Sequence, residues 1–151
     1  MIFLAAKGHQ IYAQTLAKIA KEASSALWTT EQFKEELNLA CSKIFLYCKQ
    51  EQKDLFGFIC FRVYQDEAEL TNFAVLPSEQ NKKIGTQLLT FALTNLLAQG
   101  VKKITLEVST QNAKAKKIYN DFGFKKVSLR KNFYEGGIDA ELMLFTAQNL
   151  L

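Results

Sequence analysis

Glu107, Tyr119, Asn112 and Tyr134 are the residues whose type and setting could do chemistry in this 151-residue chain. Glu107 stands mid-run between Leu106 and Val108. A carboxylate there either faces solvent beside a neighbouring lysine or faces a cleft as a candidate general base, and pattern alone leaves the two readings even. Tyr119 falls on the inward face of a helix, where a phenol can protonate a leaving group; periodicity by itself favours a core tyrosine. Asn112 could touch a ligand, although a helix N-cap accounts for it fully. Tyr134 lies in the loop sequence RKNFYEGG, either gating a groove or forming ordinary hairpin surface. Trp28 could line a substrate groove, with packing at a helix entry the stronger reading.

A second source of chemistry is the stretch LTNFAVLPSEQNKKIGTQLL, residues 70–89. It reads as a strand over 70–75, a polar loop over 76–83 and a helix from Ile84. A helix N-terminus entered this way leaves backbone N–H groups without intrahelical partners and carries the positive end of the helix dipole, so it suits phosphate. Lys82 and Lys83 add charge to the same loop. The single histidine, His9, argues against a histidine metal site or a Ser–His nucleophile, leaving carboxylate, tyrosine or cysteine for acid–base work. Cys41, Cys48 and Cys60 have no C-x-x-C spacing and sit in apolar surroundings, which predicts reduced, buried thiols and no metal.

Elements must position these groups. Apolar spacing over 9–23 (Ile11, Leu16, Ile19, Ala23) predicts a first helix. Thr29 and Gln32 have the form of a capping box for a second helix running to about Ala40, with Trp28 placed as a hydrophobic staple. Strands follow at 43–49, 55–64 and 68–75, joined by short polar turns at 50–54 and 65–67, an antiparallel meander. Gly57 relieves crowding or permits a bulge. The helix over 84–98 ends at Gly100 as a C′ glycine. The strand over 102–109 alternates cleanly, and its link through that helix predicts parallel pairing with the strand at 70–75. Asn112 then opens a helix ended by Gly123, and strands at 125–132 and 138–145 close the chain. The order is ααβββαβαββ, with one further strand possible at 2–6.

The length fits a single domain with a real core. Apolar residues make up 48% and charged residues 23%, and no run approaches a membrane span or a secretory signal, so the expected compartment is the cytoplasm. The net charge of +4 permits an anionic ligand without demanding nucleic acid.

The element order, the 70–89 stretch and the ending Asn112…Tyr119…Gly123-Phe124 together resemble the GNAT superfamily of acetyl-CoA-dependent N-acetyltransferases. That family's pyrophosphate loop reads Q/R-x-x-G-x-G/A, and Gln80-Asn81-Lys82-Lys83-Ile84-Gly85 aligns with it, with Lys83 in place of the first glycine. Within the superfamily the likeness is strongest to enzymes that acetylate the N-terminal alanine of a small-subunit ribosomal protein. It covers nearly the whole chain, through Trp28-Thr-Thr-Glu-Gln-Phe33, Leu106-Glu-Val-Ser-Thr-Gln-Asn112 and Arg130-Lys-Asn-Phe-Tyr134 among other pieces. The resemblance implies an α/β fold (α+β), a mixed, mostly antiparallel central sheet with helices on both faces and a splayed parallel strand pair. It implies acetyl-CoA as co-substrate, coenzyme A as product and no metal. Phe73, Ala74 and Val75 would offer backbone to the acetyl and pantetheine groups; Asn81, Lys82, Lys83, Ile84, Gly85 and Thr86 would cradle the pyrophosphate, and Asn112 would contact the cofactor. Glu107 would be the base and Tyr119 the acid, with Trp28, Asn72 and Tyr134 near the acceptor. The implied partner is a protein N-terminus, with no direct nucleic acid or membrane contact, and the chain would be a monomer or weak dimer. Acetylation of a small amine or a lysine side chain, or non-catalytic acetyl-CoA binding, are the alternatives. Lysine does not freely take φ > 0, so Lys83 points to a reshaped loop or weaker binding.

Overall fold

The capping box forms as its spacing predicts: the Gln32 N–H donates to Thr29 Oγ1 at 3.1 Å and the Thr29 N–H to Gln32 Oε1 at 2.8 Å. Trp28 completes the staple against Phe33, with ring centroids 5.3 Å apart. These contacts come from a computed structural model that describes residues 1–50 and 53–147. Its order is β1 (Ile2–Leu4), α1 (Ala13–Glu22), α2 (Thr30–Asn38), β2 (Ser42–Gln50), β3 (Lys53–Tyr64), β4 (Glu67–Val75), α3 (Ile84–Ala98), β5 (Lys103–Ser109), α4 (Ala113–Asp121), β6 (Lys125–Tyr134) and β7 (Ile138–Thr146). The tentative first strand is therefore real and shorter than expected. The expected turn at 50–54 includes Glu51 and Gln52, which lie outside the described residues.

The first helix differs from expectation. Residues Lys7–Tyr12 form a 3-10 turn, because His9 Nδ1 accepts the Ala6 N–H at 2.7 Å and His9 itself leaves helical geometry. The α-helix starts only at Ala13, and its buried face is Ala13, Leu16, Ile19 and Ala20, while Ile11 points to solvent.

One seven-stranded sheet runs in the order β1-β2-β3-β4-β5-β7-β6, and only β4 and β5 pair in parallel. The connection through α3 forces that direction. Strand alternation sends Ile44, Leu46, Phe58 and Cys60 toward α1 and α2, and Phe45, Ile59 and Phe61 toward α3. Ile104, Leu106 and Val108 join the α3 side with Phe124 and Phe145. Each fully buried Phe or Leu contributes roughly 1.5–3 kcal/mol on this count, so the central strands hold helices on both faces. Phe33 also packs edge-on against Phe58 at 5.4 Å, and Glu36 pairs with Arg62, so α2 is fastened to β3 at two points.

The three cysteines are reduced, but only Cys48 and Cys60 are buried. Contrary to expectation Cys41 is half-exposed, its thiol donating to the Tyr64 hydroxyl at 3.4 Å.

The parallel pair is short. Register pairs join Glu67, Ala68 and Glu69 to Lys103, Ile104 and Thr105, and stop there. Directly beyond, β4 bulges against β3: Cys60 pairs with Asn72 and Phe61 with Leu70, leaving Thr71 as the extra residue. A bulge bends its strand and sharpens local twist, so β4 turns away from β5 where the pairing ends. The result is a wedge between residues 70–75 and 106–109. A second irregularity, between Tyr47 and Cys48, sits opposite Gly57. A Cβ on Gly57 would meet the Ala74 carbonyl oxygen at 3.0 Å, so this glycine relieves crowding, and the extra residue of the irregularity is its neighbour Phe56.

Candidate functional site

A cavity of about 940 Å³ opens at the wedge. Its walls come from β4, the loop into α3 with the first turn of that helix, the far half of β5, one face of α4 and the β6–β7 turn. Of the residues picked out from sequence, Asn72, Phe73, Ala74, Val75, Asn81, Lys83, Ile84, Gly85, Thr86, Glu107, Asn112, Tyr119 and Tyr134 all line it. Two do not. Lys82 is absent from the wall and pairs at 3.0 Å with Glu79, which lines it, and Trp28 is taken up by its staple with Phe33.

Backbone donors reach the cavity from two directions. The Leu76 N–H bonds back to the Phe56 carbonyl at 2.8 Å. Alternate residues of an antiparallel strand bond to the same neighbour, so the amides of Phe73 and Val75 point the other way, toward the edge β5 has left. Ala74 belongs to the set that bonds β3. From the loop, the amides of Asn81 to Thr86 have no acceptor among the described residues, because intrahelical bonding begins with the Gln87 N–H on the Lys83 carbonyl at 3.0 Å. Lys83 stands at φ 64°, ψ 17°, and Asn81 at φ 64°. Lys83 thus takes the left-handed geometry a glycine would take, and the loop keeps its turn. Gly85 is needed for space: a Cβ there would lie 3.3 Å from Phe73 Cζ.

Side chains set the chemistry. Glu107 reaches the wall from β5 with its side chain 22% exposed, and its Oε1 is 2.9 Å from Arg130 Nη1. The carboxylate faces the cleft, and its cation is an arginine from β6 rather than the neighbouring lysine of the solvent-facing reading. Tyr119 is buried, packed against Phe124 at 5.7 Å and Phe73 at 6.4 Å, and its hydroxyl has no hydrogen-bond partner among the described residues. Burial foremost, with Tyr134 nearby, pushes its phenol well above the usual tyrosine range, so it stays protonated at neutral pH. Burial and then the Glu107 charge raise Tyr134 as well. Asn112 caps α4, accepting the Ala115 N–H at 3.1 Å, and so fixes the helix that carries Tyr119. Asn72 donates to the Ala26 carbonyl at 3.2 Å, while its Oδ1 is buried without a partner. No group of three or more His, Cys, Asp or Glu among the described residues could hold a metal ion.

Sequence reasoning passed over three features of this site. The loop between α1 and α2 supplies Ser24, Ser25, Ala26 and Leu27 to the cavity, held by Asn72, a contact between residues 46 positions apart. Lys114 on α4 bonds Asn81 Oδ1 at 2.9 Å across the cleft. Arg130 was visible only as part of a motif.

A mixed sheet unzipped at one parallel pair, with a helix N-terminus at the mouth of the gap, defines an acetyltransferase architecture. The chain belongs to the acetyltransferase (GNAT) family, whose sequence model matches residues 13–124. Among curated proteins it is 37% identical over 84 residues to the [ribosomal protein bS18]-alanine N-acetyltransferase of Haemophilus ducreyi, covering 56% of this chain and 58% of that protein. It is 30% identical over 128 residues to the putative [ribosomal protein bS18]-alanine N-acetyltransferase of Bacillus subtilis, covering 83% and 84%. The match therefore spans less than two thirds of the Haemophilus relative's length. Among solved structures, the ribosomal-protein-S18-alanine N-acetyltransferase of Escherichia coli superposes with a TM-score of 0.85 at 26% identity, covering 97% of this chain and 94% of that one. No helix among the described residues is long and apolar enough to cross a membrane.

Proposed function

We propose that this protein transfers an acetyl group from acetyl-CoA to the N-terminal amine of a protein, the acceptor being the N-terminal alanine of a small-subunit ribosomal protein, in the cytoplasm. The observation that carries this reading is the wedge itself. It puts the free amides of Phe73 and Val75, the amides of residues 81 and 83–86, Glu107 and Tyr119 on one cavity. The acceptor assignment is supported by the names of the Haemophilus, Bacillus and Escherichia relatives.

Acetyl-CoA supplies an activated acyl group as a thioester; the residues supply the rest. Asn81, Lys83, Ile84, Gly85 and Thr86 hold the pyrophosphate through backbone N–H groups, the helix dipole and the Lys83 charge. Asn112 borders the path of the cofactor. A protein N-terminus is largely protonated near neutral pH, and an ammonium has no lone pair to attack with. Glu107 accepts its proton through water. The amine nitrogen then bonds the carbonyl carbon, and a wedge-facing amide such as that of Val75 stabilises the charge growing on the carbonyl oxygen. The carbon–sulfur bond breaks, Tyr119 gives its proton to the departing thiolate, and the acylated nitrogen releases its remaining extra proton through water, which leaves a neutral amide and reprotonates Tyr119. Asn72 and Tyr134 border the acceptor side.

The test is a synthetic peptide with an N-terminal alanine, followed by mass spectrometry and thiol release in parallel with polyamines and lysine peptides. Turnover of the alanine peptide is the expected result. Acetylation of small amines alone would remove the acceptor assignment. Glu107→Gln is expected to lower turnover far more than acetyl-CoA affinity; equal loss of both would make Glu107 structural.

A further inference from the structure

We infer that Arg130 is a positioning residue for the proton-accepting carboxylate, an inference that rests on the reading of Glu107 as base. Arg130 stands on β6, two strands away from Glu107 in the sheet order, and is absent from the cavity wall. Its guanidinium nevertheless reaches over the intervening β7 to place Nη1 2.9 Å from Glu107 Oε1. The other end of this arrangement is fixed too, because the guanidinium carbon lies 5.3 Å from the centre of the Phe133 ring. Phe133 in turn packs edge-on against Tyr134, with centroids 5.0 Å apart, and Tyr134 lines the cavity.

The consequence for Glu107 is a division of labour between its two oxygens. Oε1 is occupied by Arg130, whereas Oε2 has no ion pair or hydrogen bond among the described residues. A mid-strand glutamate has three side-chain torsions, and an ion pair at one oxygen biases them toward a single arrangement. What remains is one carboxylate oxygen held at a fixed place on the cavity wall, the arrangement in which a base is itself oriented by a third group. Lysine would supply charge from a flexible single point, whereas the Arg130 guanidinium also lies over the Phe133 ring.

The side chain of Arg130 is 58% exposed, on a strand whose residues are almost all exposed, so replacing it leaves the core intact. Arg130→Gln should lower kcat by about tenfold, the scale of a misplaced reacting group, with the KM for acetyl-CoA and the melting temperature unchanged. Arg130→Lys should recover part of that loss. The decisive measurement is the double variant Glu107→Gln/Arg130→Gln. A residue acting through Glu107 has nothing left to position once the carboxylate is gone, so the double variant should be no slower than Glu107→Gln alone. Losses that multiply would overturn the inference, as would an Arg130→Gln enzyme with full kcat. If Glu107→Gln itself keeps turnover, the base assignment fails first, and that single variant shows it independently of Arg130.

Discussion

Replacing Lys83 with glycine separates the two demands placed on the loop before α3. Lys83 holds φ 64°, ψ 17°, a left-handed conformation that costs a side-chain-bearing residue roughly 1–2 kcal/mol. Glycine removes that cost, but it loosens the unfolded chain by about 0.4–1 kcal/mol. The balance runs from near zero to a gain of about 1.6 kcal/mol, or up to about 6 °C in melting temperature for a chain of this size. The same change deletes a cation from the cavity wall. Lys83 is exposed, so its attraction for a phosphate is of the solvent-screened kind, ~0.2–1 kcal/mol, up to about fivefold in affinity. Lys83→Gly is therefore expected to melt higher without ligand and to bind coenzyme A up to about fivefold more weakly, with the affinity gap shrinking as salt rises. Scanning calorimetry of the free protein and titration calorimetry with coenzyme A at two salt concentrations read both effects. A lower melting temperature would refute the strain argument. Unchanged affinity at low salt would remove Lys83 from the anion site.

Other expectations follow from single contacts. Gly57→Ala drives a Cβ to 3.0 Å from the Ala74 carbonyl oxygen and 3.2 Å from Val75 Cγ2; backbone cannot step aside, so urea unfolding should show a loss of about 1–3 kcal/mol, with weaker coenzyme A binding because Ala74 and Val75 line the cavity. For Glu36, burial alone would raise the carboxyl, but the Arg62 guanidinium, with Ser42 and Cys60, holds it below its ordinary value of 4.5. A carboxyl lowered in the folded state stabilises the protein above its unfolded pKa, and that stabilisation disappears as pH falls through the lower folded value. Glu36→Gln should therefore cost about 1–2 kcal/mol at pH 7, a hydrogen-bonded charge discounted for the 41% exposure of Arg62, and the gap to wild type should close on acidification below about 4.5; a gap independent of pH would refute this. Burial pushes the Cys60 thiol up to about 12, so alkylation at pH 8 should spare it until unfolding while half-exposed Cys41 reacts, as peptide mass spectrometry would show; early labelling of Cys60 would contradict the packing around it.

Local signals carried most of the fold. The Thr29–Gln32 box, the clean alternation of residues 104–108 and the C′ glycine at Gly100 each depend on neighbours within a few positions, so their spacing can be read directly. The site was legible where backbone geometry follows from a strand–loop–helix order, as at residues 70–86. It was not legible where distant contacts decide. The bulge at Thr71 arises from register against β3, and nothing in the residues around Thr71 announces it. Lys83 breaks the glycine preference for left-handed backbone, and only the structure shows that the turn persists regardless. The Arg130–Glu107 pair reaches across an intervening strand, a separation no short window contains. Trp28 and Lys82 lie inside matching motifs, yet packing against Phe33 and an ion pair to Glu79 occupy their side chains.

The brevity of the β4–β5 pairing also bears on how the chain folds. Three register pairs join the panel β1–β4 to the panel β5-β7-β6; within the panels every pairing is antiparallel, and β2–β3, β3–β4 and β6–β7 join consecutive strands. Such panels behave as separate cooperative units, and a parallel seam spanning a helix closes late because its loop entropy must be met before its contacts form. Amide hydrogens of β3 should thus exchange with solvent more slowly than those of Phe73 and Val75 on the open edge. A ligand lodged between the panels would act as mortar, protecting both sides of the seam at once and merging two units into one.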